Sequence, residues 1–137
     1  MASSTIAPVV VNTLGFHTYQ SPWVVLLATD GTGYANSGVE TAVNMVRHNG
    51  GKLIITYFAD PNDVALFDGF PCHSTGEWRE YGRRVLEYTS ERARASGLEQ
   101  VETVLLDGPM AERLPDLAAR LGAEVIVVAS HLFGKAA

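Results

Sequence analysis

The chain has 137 residues, 47% of them hydrophobic and 18% charged, with a formal net charge of −5. That length suits one domain with a proper core, and the balance is that of a globular chain rather than a disordered one. The acidic charge excludes the generic basic footprint of DNA- or RNA-binding domains, and a single cysteine, Cys72, excludes an internal disulfide framework and fits a reducing cytoplasm.

The opening stretch, MASSTIAPVVVNTLGFHTYQ, carries no Lys or Arg, and its apolar run at residues 6–11 is short for a signal peptide. A membrane span needs roughly 20 apolar residues, so a soluble, unexported chain with no membrane partner is expected. Residues 7–12, APVVVN, are too apolar for a solvated tail. The connector at 13–22 holds Gly15 and Pro22 and has no helical periodicity. A parallel neighbour needs a longer, usually helical crossover. The segment is therefore expected as an antiparallel edge strand, or paired with another subunit, which would remove an apolar edge. The other reading is a disordered tail with an apolar patch.

Four apolar runs follow: WVVLLAT (23–29), KLIITYF (52–58), VETVLLD (101–107) and EVIVVAS (124–130). Near-continuous apolar runs suit strands buried on both faces, as in parallel sheets. Between them lie helical patterns. Residues 37–49 open with Ser37 and Glu40 at capping-box spacing, present Val39, Ala42, Val43 and Val46 on one face, and stop at Gly50 and Gly51. Residues 77–96 repeat the box with Ser74 and Glu77. Trp78, Tyr81, Val85, Tyr88 and Ala93 are expected on the buried side, and Arg79, Glu80, Arg83, Arg84, Glu87 and Glu91 on a solvated one. Residues 109–121 carry Leu114, Leu117, Ala118 and Leu121 as a buried stripe. Pro109 suits the first helical position. Pro115 does not suit an interior one, so the helix either kinks there or starts its regular part there.

The alternation implies right-handed crossovers and an α/β fold with a doubly wound open parallel sheet, four parallel strands plus the extra N-terminal edge strand. Two units are expected: an edge strand and connector at 1–22 and an α/β domain at 23–137. Residues 59–75 form the one long irregular segment, a length often functional in compact domains.

In such sheets ligands bind at the carboxyl ends of the strands. Those ends read Asp30-Gly31-Thr32-Gly33, Ala59-Asp60, Asp107-Gly108 and Ser130-His131. Asp30 can accept a hydrogen bond from a ribose hydroxyl or hold a metal ion, and the glycines let backbone approach a ligand next to a helix start. The same residues also make an ordinary strand-to-helix turn. Gly31-Thr32-Gly33 is neither GxGxxG nor GxxxxGK[ST]. His17, His48, His73 and His131 lie far apart, and no HExxH, CxxC or GxSxG occurs. An enzyme of small phosphorylated or thiol substrates would rest on pocket position and Cys72-His73 alone. Asp30, Asp107, Ser130 and Lys135 fall in the order of a phosphorylatable receiver domain, but no second acid stands beside Asp30 to hold Mg²⁺. No catalytic residue and no metal are expected.

The run VVLLATDGTGYANSGVETAV resembles the opening of universal stress proteins, where a strand ends in Asp-Gly-Ser; here it is Asp30-Gly31-Thr32. GKLIITYFADP resembles the family's second strand, and LLDGPMAERLPDLAARLGAEVIVVASH its third strand, third helix and fourth strand. The resemblance covers residues 23–131. It implies a nucleotide-binding α-hydrolase-like, Rossmann-like fold in a stress-response protein without catalysis. It also implies a candidate nucleotide site at Asp30, Gly31, Thr32, Ala59, Asp60 and Ser130. The family's ATP-binding members continue with Gly-x-x-Gly, nine residues and Gly-Ser or Gly-Thr, glycines that let backbone wrap the phosphates. Here Ala129 and Leu132 stand at the first two glycines, Gly134 is out of register, and the rest does not follow. The expectation is no cofactor, with ATP or AMP as the alternative. TIAPVVVN resembles the family's last strand moved to the front. That edge makes the family's dimer, so a homodimer through the N-terminal strand edge is expected, together with a protein partner that the sequence does not name.

Overall fold

The computed structural model describes residues 9–12, 23–31, 36–60 and 75–129. In chain order the elements are β1 (Val9–Asn12), β2 (Val24–Thr29), α1 (Asn36–Asn49), β3 (Lys52–Ala59), α2 (Thr75–Ala95), β4 (Val101–Asp107), α3 (Met110–Leu121) and β5 (Val125–Ala129). One five-stranded sheet has the order β1-β5-β2-β3-β4. β5, β2, β3 and β4 run parallel, and β1 lies antiparallel on β5, with Val9 opposite Val128 and Asn12 opposite Val125. The antiparallel edge strand expected from the short connector is present, and the tail reading fails over Val9–Asn12.

Side chains alternate along each strand, so the central strands must be covered twice. Val25 and Leu27, with Leu53, Ile55 and Val127, face the layer of α1 and α2. Leu26 and Ala28, with Ile54, Phe58, Ile126 and Val128, face α3 through Leu114, Leu117 and Ala118. Each large apolar side chain buried this way contributes about 1.5–3 kcal/mol. The chain runs β2, β3, β4 in one direction and then crosses back to β5. Right-handed crossovers therefore put α1 and α2 on one face and α3 on the other.

Five local expectations are corrected. The run 101–107 is not buried on both faces: β4 is the sheet edge, with Glu102 and Thr103 exposed and Val104 to Leu106 half-buried. Tyr88 is 61% exposed. At about 100° per residue it stands roughly a quarter-turn from the stripe of Trp78, Gly82, Val85, Thr89 and Ala93. Pro109 is the N-cap of α3, in an extended conformation, rather than its first helical residue. The helix then runs unbroken through Pro115. Pro115 and Ala111, the residue one turn before it, are both exposed, so water can satisfy the freed carbonyl. At α1 the helix begins at Asn36, one residue before the expected Ser37 cap. Ser74 lies outside the described residues.

Two glycines let the layers close. Gly51 has φ of 120°, and a Cβ there would stand 2.1 Å from the Trp23 carbonyl oxygen, which accepts the Lys52 N–H at 2.7 Å. Gly82 sits inside α2, where a Cβ would meet the Tyr57 ring at 2.5 Å and Leu105 Cδ1 at 2.8 Å. A mid-helix glycine is ordinarily about 1 kcal/mol worse than alanine, so Gly82→Ala would stabilise an unpacked helix. Overpacking costs about 1–3 kcal/mol and outweighs that gain. The expected result is a net loss of about 1 kcal/mol in urea unfolding; a gain in stability would contradict this close approach.

Candidate functional site

The strand order reverses at β2, which has β3 on one side and β5 on the other. In open α/β sheets ligands bind outside the carboxyl ends at such a switch point. Thr29 pairs with Ala129, so β2 and β5 end level. Beyond them the Asp30 N–H donates to the Ala129 carbonyl at 3.2 Å, and the Gly31 N–H donates to Thr29 Oγ1 at 3.1 Å. Asp30 is half-buried and Gly31 exposed.

Gly31 has φ of 80°, the left-handed region that favours glycine. It also lies against α2. An added Cβ would be 2.6 Å from Val85 Cγ2 and 3.0 Å from the Tyr81 hydroxyl. The turn after β2 thus has a wall made by a helix some fifty residues downstream in sequence. Tyr81 packs edge-on against Tyr57 and Trp78, with ring centroids 5.8 and 5.9 Å away. Sequence reasoning placed Tyr81 on the buried face of its helix but not at the switch point. The available signal was the spacing from Tyr81 to Val85, one turn apart and on the same face as Trp78.

β3 reaches further out than β2. Ala28 pairs with Thr56, so Ala59 stands two residues beyond the level of Thr29, roughly 7 Å. Ala59 and Asp60 are both buried, and the Ala59 carbonyl accepts the Gly108 N–H at 3.0 Å. The structure therefore brings Asp30, Gly31 and Ala129 together at one turn, with Ala59 at the end of the adjacent, taller strand and Asp60 just beyond it. Thr32 and Ser130 lie outside the described residues, as do Cys72, His73 and most of the irregular segment.

Arg79 was expected on the solvated face of its helix. It is exposed there, and it also grips Asp107, Nε to Oδ1 at 2.8 Å and a terminal nitrogen to Oδ2 at 2.5 Å. The other expected pairs form: Glu80 holds Arg83 at 3.2 Å and Arg84 at 3.6 Å. The Arg79 fork ties the first turn of α2 to the carboxyl end of β4. Its hydrogen bonds hold the Asp107 carboxyl below the ordinary carboxylate value; desolvation opposes them, and the charges of Arg79 and Arg113 act with them to a lesser degree. The same hydrogen bonds raise the Arg79 guanidinium. Among the described residues no group of three or more His, Cys, Asp or Glu could hold a metal ion. No described helix is long and apolar enough to cross a membrane.

The profile of the universal stress protein family matches residues 24–132. A curated Staphylococcus haemolyticus (strain JCSC1435) protein named for that family, SH1215, is 28% identical over 104 residues, 75% of this chain. The match spans 63% of that relative's own length. A solved member of the family from Burkholderia pseudomallei is 27% identical, with a TM-score of 0.64 over 82% of this chain and 84% of that one. A universal stress protein solved in complex with cAMP is 21% identical, with a TM-score of 0.62 over 80% of this chain and 77% of that one. The Mycobacterium tuberculosis H37Rv protein Rv1636 is also 21% identical, with a TM-score of 0.59 over 82% and 74% of the two chains.

The Arg79–Asp107 pair carries a pH signature. Because the folded carboxyl titrates below its unfolded value, its contribution is present above the ordinary carboxylate value, about pH 4, and is lost as pH falls through the lowered folded value. Both side chains are nearly half exposed, 45% and 48%, so the contribution is screened and modest. The Tm of the unaltered chain should exceed that of Asp107→Asn above that pH, with the gap closing on acidification. A gap that stays constant with pH would show that the pair does not act this way.

Proposed function

The chain belongs to the universal stress protein family, and from that premise we propose that it is a cytoplasmic, stress-linked regulatory domain without catalysis. In this reading it acts through dimerisation and protein contacts, with ATP binding weakened or lost. Residues 1–22 supply the edge through which the 23–137 domain pairs with a second copy.

Ala129 carries the reading. It stands where the family resemblance calls for the first glycine of the phosphate loop. It is 2% exposed, and it belongs to the apolar cluster under α1 and α2. Its carbonyl is engaged by the Asp30 N–H. A methyl group at this position, held in the core, works against the close backbone approach that a triphosphate needs.

A second reading keeps a nucleotide at this edge, and the family member solved with cAMP favours it. A cyclic phosphodiester carries one negative charge and needs fewer backbone donors than a triphosphate. Asp30 would accept from the ribose hydroxyl and Gly31 would admit the backbone. Ala59 and Asp60 would stand on the adenosine side, with Thr32 and Ser130 completing the site.

Calorimetry with ATP, AMP and cAMP separates the two. The first reading expects ATP to bind more weakly than about 100 μM. Micromolar affinity that Asp30→Ala abolishes would establish the second. Sedimentation at tens of micromolar should give twice the 14.8 kDa chain mass; a monomer would remove the dimer from the proposal.

A further inference from the structure

The arginines of this acidic chain are not all neutralised. Arg79, Arg83, Arg84 and Arg120 each pair with a carboxylate of the chain itself. The Arg47 side chain makes no ion pair or hydrogen bond among the described residues. Arg92 is held at 3.1 Å by the Asn36 side-chain oxygen and lies 5.7 Å from the centroid of the Tyr88 ring, contacts that orient it without cancelling its charge. These two guanidinium groups, on different helices, line one groove of about 210 Å³ on the solvent side of the α1–α2 layer. Its floor is Val39 and Val43, and Asn44 and Ser96 lie on its rim. Tyr88 and Arg92 stand four residues apart on α2, and Ser96 continues their row just past the end of the helix.

We propose that this groove is the docking site for an acidic segment of a partner protein. Arg47 and Arg92 receive its carboxylates, and Tyr88 and the valine floor receive an apolar side chain. The arguments are charge complementarity and residue type. Two arginines without an ion-pair partner line one groove, a local positive patch on a chain whose net charge is −5. Tyr and Arg are the residue types in which binding energy concentrates. Glu40 also lines the groove and repels a carboxylate at its own end, which gives the bound segment a direction. At about 210 Å³ the groove lies below the roughly 300–1,000 Å³ of ordinary small-molecule pockets and suits one or two side chains. The inference gives the protein-contact reading a surface and rests on it in that respect; the nucleotide and dimer measurements can come out either way without deciding it.

The test uses the whole chain and a fluorescein-labelled peptide of repeated Glu-Glu-Leu, against its Lys-Lys-Leu counterpart, by fluorescence anisotropy. The acidic peptide should bind and the basic one should not, with affinity falling as salt rises. Arg47→Glu should weaken binding about tenfold, as loss of one charge contact does, and amide shifts should map to residues 39–47 and 88–96. Arg92→Glu should do the same; if it unfolds the chain, Arg47→Glu decides alone, since that side chain holds nothing else together. Equal binding of both peptides, no binding, or affinity unchanged by Arg47→Glu would overturn the proposal. So would self-association blocked by Arg47→Glu, which would make a second copy the occupant.

Discussion

The pairing of β2 with β5 is the constraint from which the remaining architecture follows. It joins the first parallel strand to the last, so it closes the sheet only after the chain has run outward to β4 and come back. Its register, Val25 to Val125 through Thr29 to Ala129, sets which residues face each helical layer. A slip of one residue would turn Leu26, Ile126 and their neighbours toward the wrong side. At the amino end the two strands are joined again, with Glu124 accepting the Val24 N–H through its side chain and donating its own N–H to the Val24 carbonyl.

The same pairing places the switch point. Because β2 and β5 end level and β3 does not, the carboxyl edge is a step rather than a flat rim. The helix crossing that step, α2, approaches closely because Gly82 and Gly31 carry no side chain. Val85 and Tyr81 stand where a larger residue at position 31 would need room, and Arg79 fastens the helix to β4.

Charge is distributed unevenly over this frame. Acidic residues outnumber basic ones, 15 to 10, and most described arginines are used to tie one element to itself or to its neighbour. Arg94 is one of these, donating to the Val101 carbonyl at the start of the edge strand and so partly covering an edge that would otherwise be open to pairing. Against that background the α1–α2 groove is distinctive because two arginines from different helices line it, neither with a carboxylate partner within the described residues.

The apolar runs and helical spacings were enough to read four parallel strands, three helices, their order and the antiparallel edge strand, because burial on both faces and connector length leave a one-dimensional record. The stripe of α1, with Val39, Ala42, Val43 and Val46 all buried, was legible for the same reason. Asp30 and Gly31 could be named as a candidate turn from their position after a strand. The half-burial of β4, the exposure of Tyr88, the Arg79–Asp107 fork and the wall of Tyr81 and Val85 over Gly31 could not. Each depends on which strand ends at the sheet edge, or on two elements separated by tens of residues meeting in space. Local periodicity registers which face of an element is apolar; only the assembled layers decide what that face meets.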